Sequence, residues 1–309
     1  MNASFMENLL SAGVERSLPL FYAATGETLS ELSGVLNLGQ EGIMLASAMT
    51  AVAVSHTTGS AMAGLMAGMA MGGAMALLHA LLTVTLRADQ VVAGLSLVFV
   101  GTGIASVGGA GLVALRQGVP HFEPWAIPLL SDIPFLGNVL FNQVPLVYAA
   151  YLMIPTIHWW LGHTRAGLNL RAVGENPAAA SAMGLSVTRL RYLYVVVGGV
   201  LTGLGGASLS LAITPGWSDG LSNGQGWIAI GLVIVGGWRP WGVALAAFFF
   251  GTLQRLTLDL QGSQSEFLDS PLVGLFLRMA PYLGAIVVLV LVTRFKKRLG
   301  APEGLGKPA

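Results

Sequence analysis

Residues 42–86 read GIMLASAMTAVAVSHTTGSAMAGLMAGMAMGGAMALLHALLTVTL, forty-five positions without one Asp, Glu, Lys or Arg. A bilayer core about 30 Å thick needs roughly 20 apolar residues per helix. The stretch is long enough for two spans, broken near Thr57-Thr58-Gly59-Ser60. Further charge-free runs cover 90–115, 133–164, 192–218, 220–238, 240–254 and 279–293. A soluble domain carries about a quarter charged residues, whereas here 9% are charged and 54% hydrophobic. The expected fold is an all-α polytopic membrane protein, with residues 1–309 forming a single transmembrane domain. The 42 glycines suit helices packed in lipid, where small residues let backbones approach.

Composition also excludes functions. The three lysines are Lys296, Lys297 and Lys307, and none is followed by Ser or Thr. A P-loop needs Gly-Lys followed by a hydroxyl residue, so that the ammonium meets phosphates and the hydroxyl meets magnesium. Any ATP energy must therefore come through another subunit. Cysteine is absent, so there is no disulfide framework or thiolate metal site. A net charge of +1 points to no nucleic acid. The first 15 residues lack a basic n-region and contain Glu7 and Glu15, so no cleavable signal peptide is expected.

The arginines orient the chain, because cytoplasmic loops hold excess Lys and Arg. Residues 162–191 carry Arg165, Arg171, Arg189 and Arg191 against Glu175; the tail carries Arg294, Lys296, Lys297, Arg298 and Lys307 against Glu303. Both segments are expected inside, while 114–144 and 259–278 belong outside. Spans then follow at 41–58, 62–86, 90–113, 145–161, 192–213 and 275–293. Gly236-Gly237-Trp238-Arg239-Pro240 interrupts 226–256, which reads as two short helices meeting near Arg239. Counting that pair as two gives eight passes, and a first span ahead of them puts the N-terminus outside. The first span is the least regular. Only 17–26 is charge-free, about 15 Å of helix, so an interfacial helix is the alternative. Glu27 and Glu31 lie four apart on one helix face and must meet protein or water.

Two segments carry specific signals. In Gly34-Val35-Leu36-Asn37-Leu38-Gly39-Gln40-Glu41-Gly42, three glycines and two amides interrupt an apolar pattern. At membrane depth irregular backbone survives only when buried in protein or lining a wet cavity, and transporters expose such backbone to a substrate. An ordinary turn before a helix, with Glu41 near its N-terminus, is the alternative. The second segment is Gly174-Glu175-Asn176-Pro177-Ala178-Ala179-Ala180-Ser181-Ala182-Met183-Gly184-Leu185. Asn176 can cap, Pro177 suits the first helical position and Gly184 suits the residue past the end. The result is a two-turn helix isolated in a basic loop, too short to stand alone. Either a partner holds it or it rests on its own membrane domain.

Other residues read as packing. His56, His79, His121, His158 and His163 show no metal-ligand pairing, and Met62, Met66, Met69, Met71 and Met75 suit helices in lipid. Trp217 and Trp227 flank Asp219 and read as interfacial anchors.

The GENPAAASAMGLSV core within 171–206 resembles the cytoplasmic loop and following helix of bacterial ABC-importer permeases. The nearest group is the nucleoside and simple-sugar permeases, related to ribose and branched-chain amino acid permeases. GETLSELSGVLNLGQEGIML at 26–45 resembles that group's opening motif, and GWIAIGLVIVGGWRPWGVALAAFFFGTLQ at 226–254 its late hairpin. The three occur in the family's order and span nearly the whole chain. This chain has Ala178 where relatives often carry an acidic or polar residue.

The resemblance implies a non-catalytic permease subunit of the bacterial cytoplasmic membrane. Its expected partners are a second permease, as a heterodimer, an ATP-binding cassette ATPase holding ATP and Mg, and a periplasmic or lipid-anchored solute-binding protein. This chain would bind no cofactor itself. Glu175, Asn176, Pro177, Ala178, Ala179, Ala180, Met183 and Gly184 would couple to the ATPase. Asn37, Gln40 and Glu41 would lie near the solute path. The expected solute is a nucleoside or related purine or sugar compound; a sugar or branched-chain amino acid importer is the alternative. An ion-driven transporter would need an ionisable residue at the bilayer centre, and Asp89 and Glu41 fall at predicted helix ends. A base favours aromatic stacking plus a few amides; a bare sugar favours many hydroxyl and amide groups.

Overall fold

A computed structural model describes residues 3–113, 118–261, 279, 283, 284, 287, 290 and 300–307. Eleven α-helices carry the described chain: α1 (Ala3–Leu32), α2 (Gln40–Thr58), α3 (Ala61–Ala80), α4 (Gln90–Gly109), α5 (Leu136–Phe141), α6 (Pro145–His163), α7 (Arg165–Glu175), α8 (Pro177–Ala182), α9 (Val187–Ser208), α10 (Gln225–Gly236) and α11 (Pro240–Gln261). One π-helical turn, Leu81–Thr85, prolongs α3, and another, Leu209–Ile213, prolongs α9. The described residues contain one β-bridge ladder, pairing Trp125 with Gln143 and Ala126 with Asn142. Four helical stretches, Ala61–Thr85, Gln90–Gly109, Val187–Ile213 and Pro240–Gln261, are long and apolar enough to cross a membrane. The chain is thus an all-α, multi-pass membrane protein.

The core lies along α1, which is continuously buried from 18 to its end at 32. A helix buried all round belongs inside a bundle, so α1 is not interfacial. It extends past its short charge-free run because Glu27 and Glu31, 0% and 2% exposed, both face protein. Helices α9, α10 and α11 pack around it, and α2 joins α9 to α3 and α4. The backbones touch where glycines meet. A Cβ on Gly198 would lie 2.5 Å from the Gly26 carbonyl oxygen, and one on Gly101 2.3 Å from that of Gly42. Neither crossing admits even alanine without moving a helix.

The outer faces are apolar. Phe99 is 77% and Val107 83% exposed on α4. In water a patch of that kind marks an interaction surface or an aggregation hazard; hydrocarbon is its natural solvent.

Three sequence expectations change. The 226–256 pair is one short helix and one full-length helix, not two short ones. Helix α11 continues past 254 because Arg255 pairs with Asp259 one turn later, Nη2 to Oδ1 2.9 Å, which neutralises both charges. Trp217 is no interfacial anchor: it is 3% exposed, against Gly109, while Trp227 is 41% exposed. Arg191 is no loop residue. It lies inside α9 with 1% exposure, beside Gly34. The expected span 275–293 and its basic tail lie outside the described residues, apart from Met279, Leu283, Gly284, Val287 and Val290.

Candidate functional site

The broken segment begins where α1 stops. Gly34 takes φ +89°, and Gly34 N–H donates to Glu31 O at 2.8 Å while Val35 N–H donates to Ser30 O at 3.3 Å. This is a Schellman closure, for which glycine's tolerance of positive φ is needed. The chain then crosses to α2 with its backbone donors satisfied by side chains. Leu36 N–H donates to Gln90 Oε1 at 2.7 Å, Asn37 N–H to Glu27 Oε1 at 2.8 Å, and Gly39 N–H to Asn37 Oδ1 at 2.9 Å. His79 Nε2 lies 3.0 Å from Leu36 O. Burial of irregular backbone demands such partners.

Gln40 extends this knot into the bundle. Its Nε2 donates to Glu27 Oε2, and Thr202 Oγ1 donates to its Oε1 at 2.7 Å. Asn37, Gln40 and Glu41 are 1%, 1% and 8% exposed, so all three are enclosed by protein in this conformation. The structure brings Asn37 and Gln40 together at Glu27, and turns Glu41 toward α10.

Helix α10 has 12 residues, about 18 Å, too short for a bilayer core. Carboxylates from other helices hold both its ends. Glu41 Oε1 accepts from Ser222 Oγ at 2.5 Å and Gly224 N–H at 2.9 Å, and Glu41 Oε2 accepts from Gly226 N–H at 2.7 Å. An anion at a helix N-terminus is favoured by the free N–H groups and the aligned peptide dipoles. At the other end Trp238 Nε1–H donates to Glu31 Oε2 at 2.5 Å. The neighbouring Gln40 meets Thr202, fifteen residues into α9 and so about 22 Å along it. Helix α10 therefore starts at mid-depth and runs to the end of the bundle that carries 162–191. A half-helix reached by a loop dipping from the opposite face is the construction by which transporters place a helix terminus within the membrane.

The loop segment forms at that same end. It is not isolated: α7 precedes α8, with Leu170, Val173 and Gly174 buried. Glu175 is the last residue of α7 rather than part of the short helix. Asn176 Oδ1 caps α8 by accepting from Ala179 N–H at 2.9 Å. Gly184 closes it at φ +84°, with Leu185 N–H donating to Ala180 O at 3.1 Å. Ala180 faces inward, Pro177 is half-buried, and Glu175, Asn176, Ala178, Ala179, Met183 and Gly184 are exposed. The tail braces this arrangement: Gly304 N–H donates to Gly174 O at 2.8 Å, and Gly306 N–H to Gly34 O at 3.3 Å. A cavity of about 570 Å³ opens beside α8, with Arg87, Glu175, Glu303 and Lys307 on its walls.

Sequence reasoning did not assign Thr202, Ser222, Gln90, His79 or Trp238 to this network. Each is a common residue whose partner lies far away in the chain, so no local pattern marks it. Among the described residues, no group of three His, Asp or Glu could hold a metal ion.

Comparison with known proteins shows the family. Residues 9–294 match the family described as branched-chain amino acid transport system / permease component. The chain is 36% identical to a provisionally named glucose ABC transporter permease protein, TsgC13, of Haloferax volcanii, over 98% of this chain and 97% of that one. It is 36% identical to the nucleoside ABC transporter permease protein NupC of Lactococcus lactis, with 89% of each covered. It is 34% identical to the guanosine ABC transporter permease protein NupQ of Bacillus subtilis, over 97% of this chain and 95% of that one. No solved structure matches. With an all-helical membrane bundle, a buried half-helix and a match over nearly its full length, the chain belongs to the branched-chain amino acid transport system permease family.

Proposed function

We propose that this permease is the membrane subunit of an ATP-driven importer for a nucleoside or related sugar-bearing solute. ATP is hydrolysed on a separate ATPase with its Mg, a second permease completes the pore, and a solute-binding protein delivers cargo to the outer face. The observation that carries this reading is α8. The helix is seated from behind by α7, α9 and the tail, while its opposite face presents small side chains and the exposed Met183. Short helices of this kind are stabilised by what they pack against, and a face of alanines lets a partner approach closely. The charged cavity beside α8 adds groups of both signs for a protein surface to meet. The chemistry of the named relatives supplies the solute class.

An N-terminus outside and α8 in the cytoplasm of a bacterial inner membrane complete the reading. The chain has no cysteine, so an engineered Ser181→Cys supplies the single thiol. The expected result is labelling by an impermeant maleimide in inside-out vesicles and protection in intact cells. Rapid labelling in intact cells would reverse the orientation.

The broken segment is proposed to lie on the path that opens when the two permeases rock. Asn37→Leu removes the acceptor for Gly39 N–H and leaves a buried donor unpaired, at a cost of about 1–3 kcal/mol. Uptake should fall severalfold while the complex still assembles. Normal uptake by Asn37→Leu would make the segment a simple turn.

A further inference from the structure

At the N-terminal end of α10 lies a cavity of about 550 Å³. Its polar walls are Thr214, Asn223, Gln225, Gln254, Thr257 and Gln261, contributed by the loop before α10, by α10 and by α11. Gln225 opens α10 directly beside Gly226, which Glu41 holds, so the floor of the cavity lies at mid-depth. Gln261 ends α11, 21 residues after Pro240 and about 31 Å along the helix. The cavity thus reaches from mid-depth toward the face opposite α8. Its volume falls in the range of small-molecule sites.

The lining chemistry is selective. Carboxamides and hydroxyls offer donors and acceptors together, the requirement for a polyol. Gln225 Oε1 is buried without a hydrogen-bond partner among the described residues. No aromatic ring is among the described lining residues. Arg16 is the charged residue among the described lining residues. Arg16 stands beside Glu15, and Arg255 beside Asp259. Leu209, Leu221, Ile228 and Leu258 complete the lining, and no carboxylate for the ammonium of an amino acid is among the described lining residues.

We propose that this cavity is the outward-facing solute site of the permease, and that it grips the hydroxylated sugar part of an uncharged solute, the ribose of a nucleoside or a free hexose. The inference rests on the importer reading above. It assigns hydroxyl recognition to Gln225, Gln254 and Thr257, and leaves base recognition to other parts of the transporter.

The test uses the complete importer, with both permeases, the ATPase and the solute-binding protein, in proteoliposomes supplied with ATP on the ATPase side. Uptake of radiolabelled guanosine, glucose and leucine is measured in parallel. Guanosine or glucose should enter and leucine should not; which of the two enters distinguishes a ribose from a hexose. The double variant Gln254→Leu, Thr257→Val should cut that uptake roughly tenfold or more, since a solute hydroxyl then meets no partner. Gln254→Asn should retain a substantial part. Leucine uptake alone, or uptake of none of the three, would overturn the assigned class. Wild-type uptake by the double variant, while Ala179→Arg blocks uptake, would remove the cavity from the path and leave the importer reading standing. Normal uptake by both variants would undo that reading itself. If the double variant fails to assemble, Gln254→Cys provides a lone thiol. An impermeant maleimide added outside should label it, and excess transported solute should slow labelling severalfold. Unchanged labelling with solute present would overturn the site.

Discussion

Ala179→Arg should reduce uptake roughly tenfold or more and either release the ATPase subunit or leave it hydrolysing ATP without transport. Ala179 is exposed on α8, so the permease itself has room for the longer side chain and should fold and insert normally. The loss arises only in the complex. There a guanidinium would have to be desolvated against a surface shaped for a methyl group, and burying an unpaired charge is costly. Gly184→Val attacks the same helix through its backbone. No atom lies within 4 Å of a Cβ built at Gly184, so there is no clash. The cost is the φ of +84°, about 1–2 kcal/mol for a residue with a side chain. It should therefore impair uptake less than Ala179→Arg does. Solute uptake and co-purification of the ATPase, measured for both variants beside wild type, check the expectation. Full uptake with full ATPase retention in both would mean that α8 transmits nothing.

Glu41→Leu should lower the melting temperature of the purified permease by roughly 5 °C, taking a loss of about 3 kcal/mol at the unfolding entropy of a chain this long. The side chain satisfies Ser222 Oγ and the backbone N–H groups of Gly224 and Gly226. Bonds to a charged acceptor contribute about 1.5–3 kcal/mol each, and buried donors left behind carry a desolvation cost of their own. The favourable charge at the N-terminus of α10 disappears as well. Glu41→Gln should fall between, because one carboxamide oxygen still accepts while the NH₂ group faces donors. Uptake should follow stability in this series, since α10 carries both the half-helix terminus and part of the polar cavity. A Glu41→Leu protein melting with wild type would show that α10 holds its place without the carboxylate.

The helices were legible wherever the signal was local. The charge-free runs placed α2, α3, α4, α6 and α9 within a few residues of their observed bounds, and the Asn176, Pro177 and Gly184 signals located α8. Charge patterns misled where a charge had a partner. Arg255 appeared to end a span until Asp259 neutralised it. Glu27 and Glu31 made α1 look too short, yet both carboxylates are hydrogen-bonded inside the bundle. Arg191 counted as an inner-loop cation but is buried at the junction of α9 with the end of α1.

The sequence alone determined the class of the protein, its lack of a P-loop lysine motif, most of its long helices and its capped loop helix. Those properties depend on composition and on residues within a turn or two of one another. Tertiary structure decided what the buried polar groups do. Glu41 meets Gly226 across 185 positions, and Gln40 meets Thr202 across 162. Likewise, the cavity walls come from the loop before α10, from α10 and from α11. A buried hydrogen bond requires its partner within about 3 Å, and only the packed bundle brings such distant residues together.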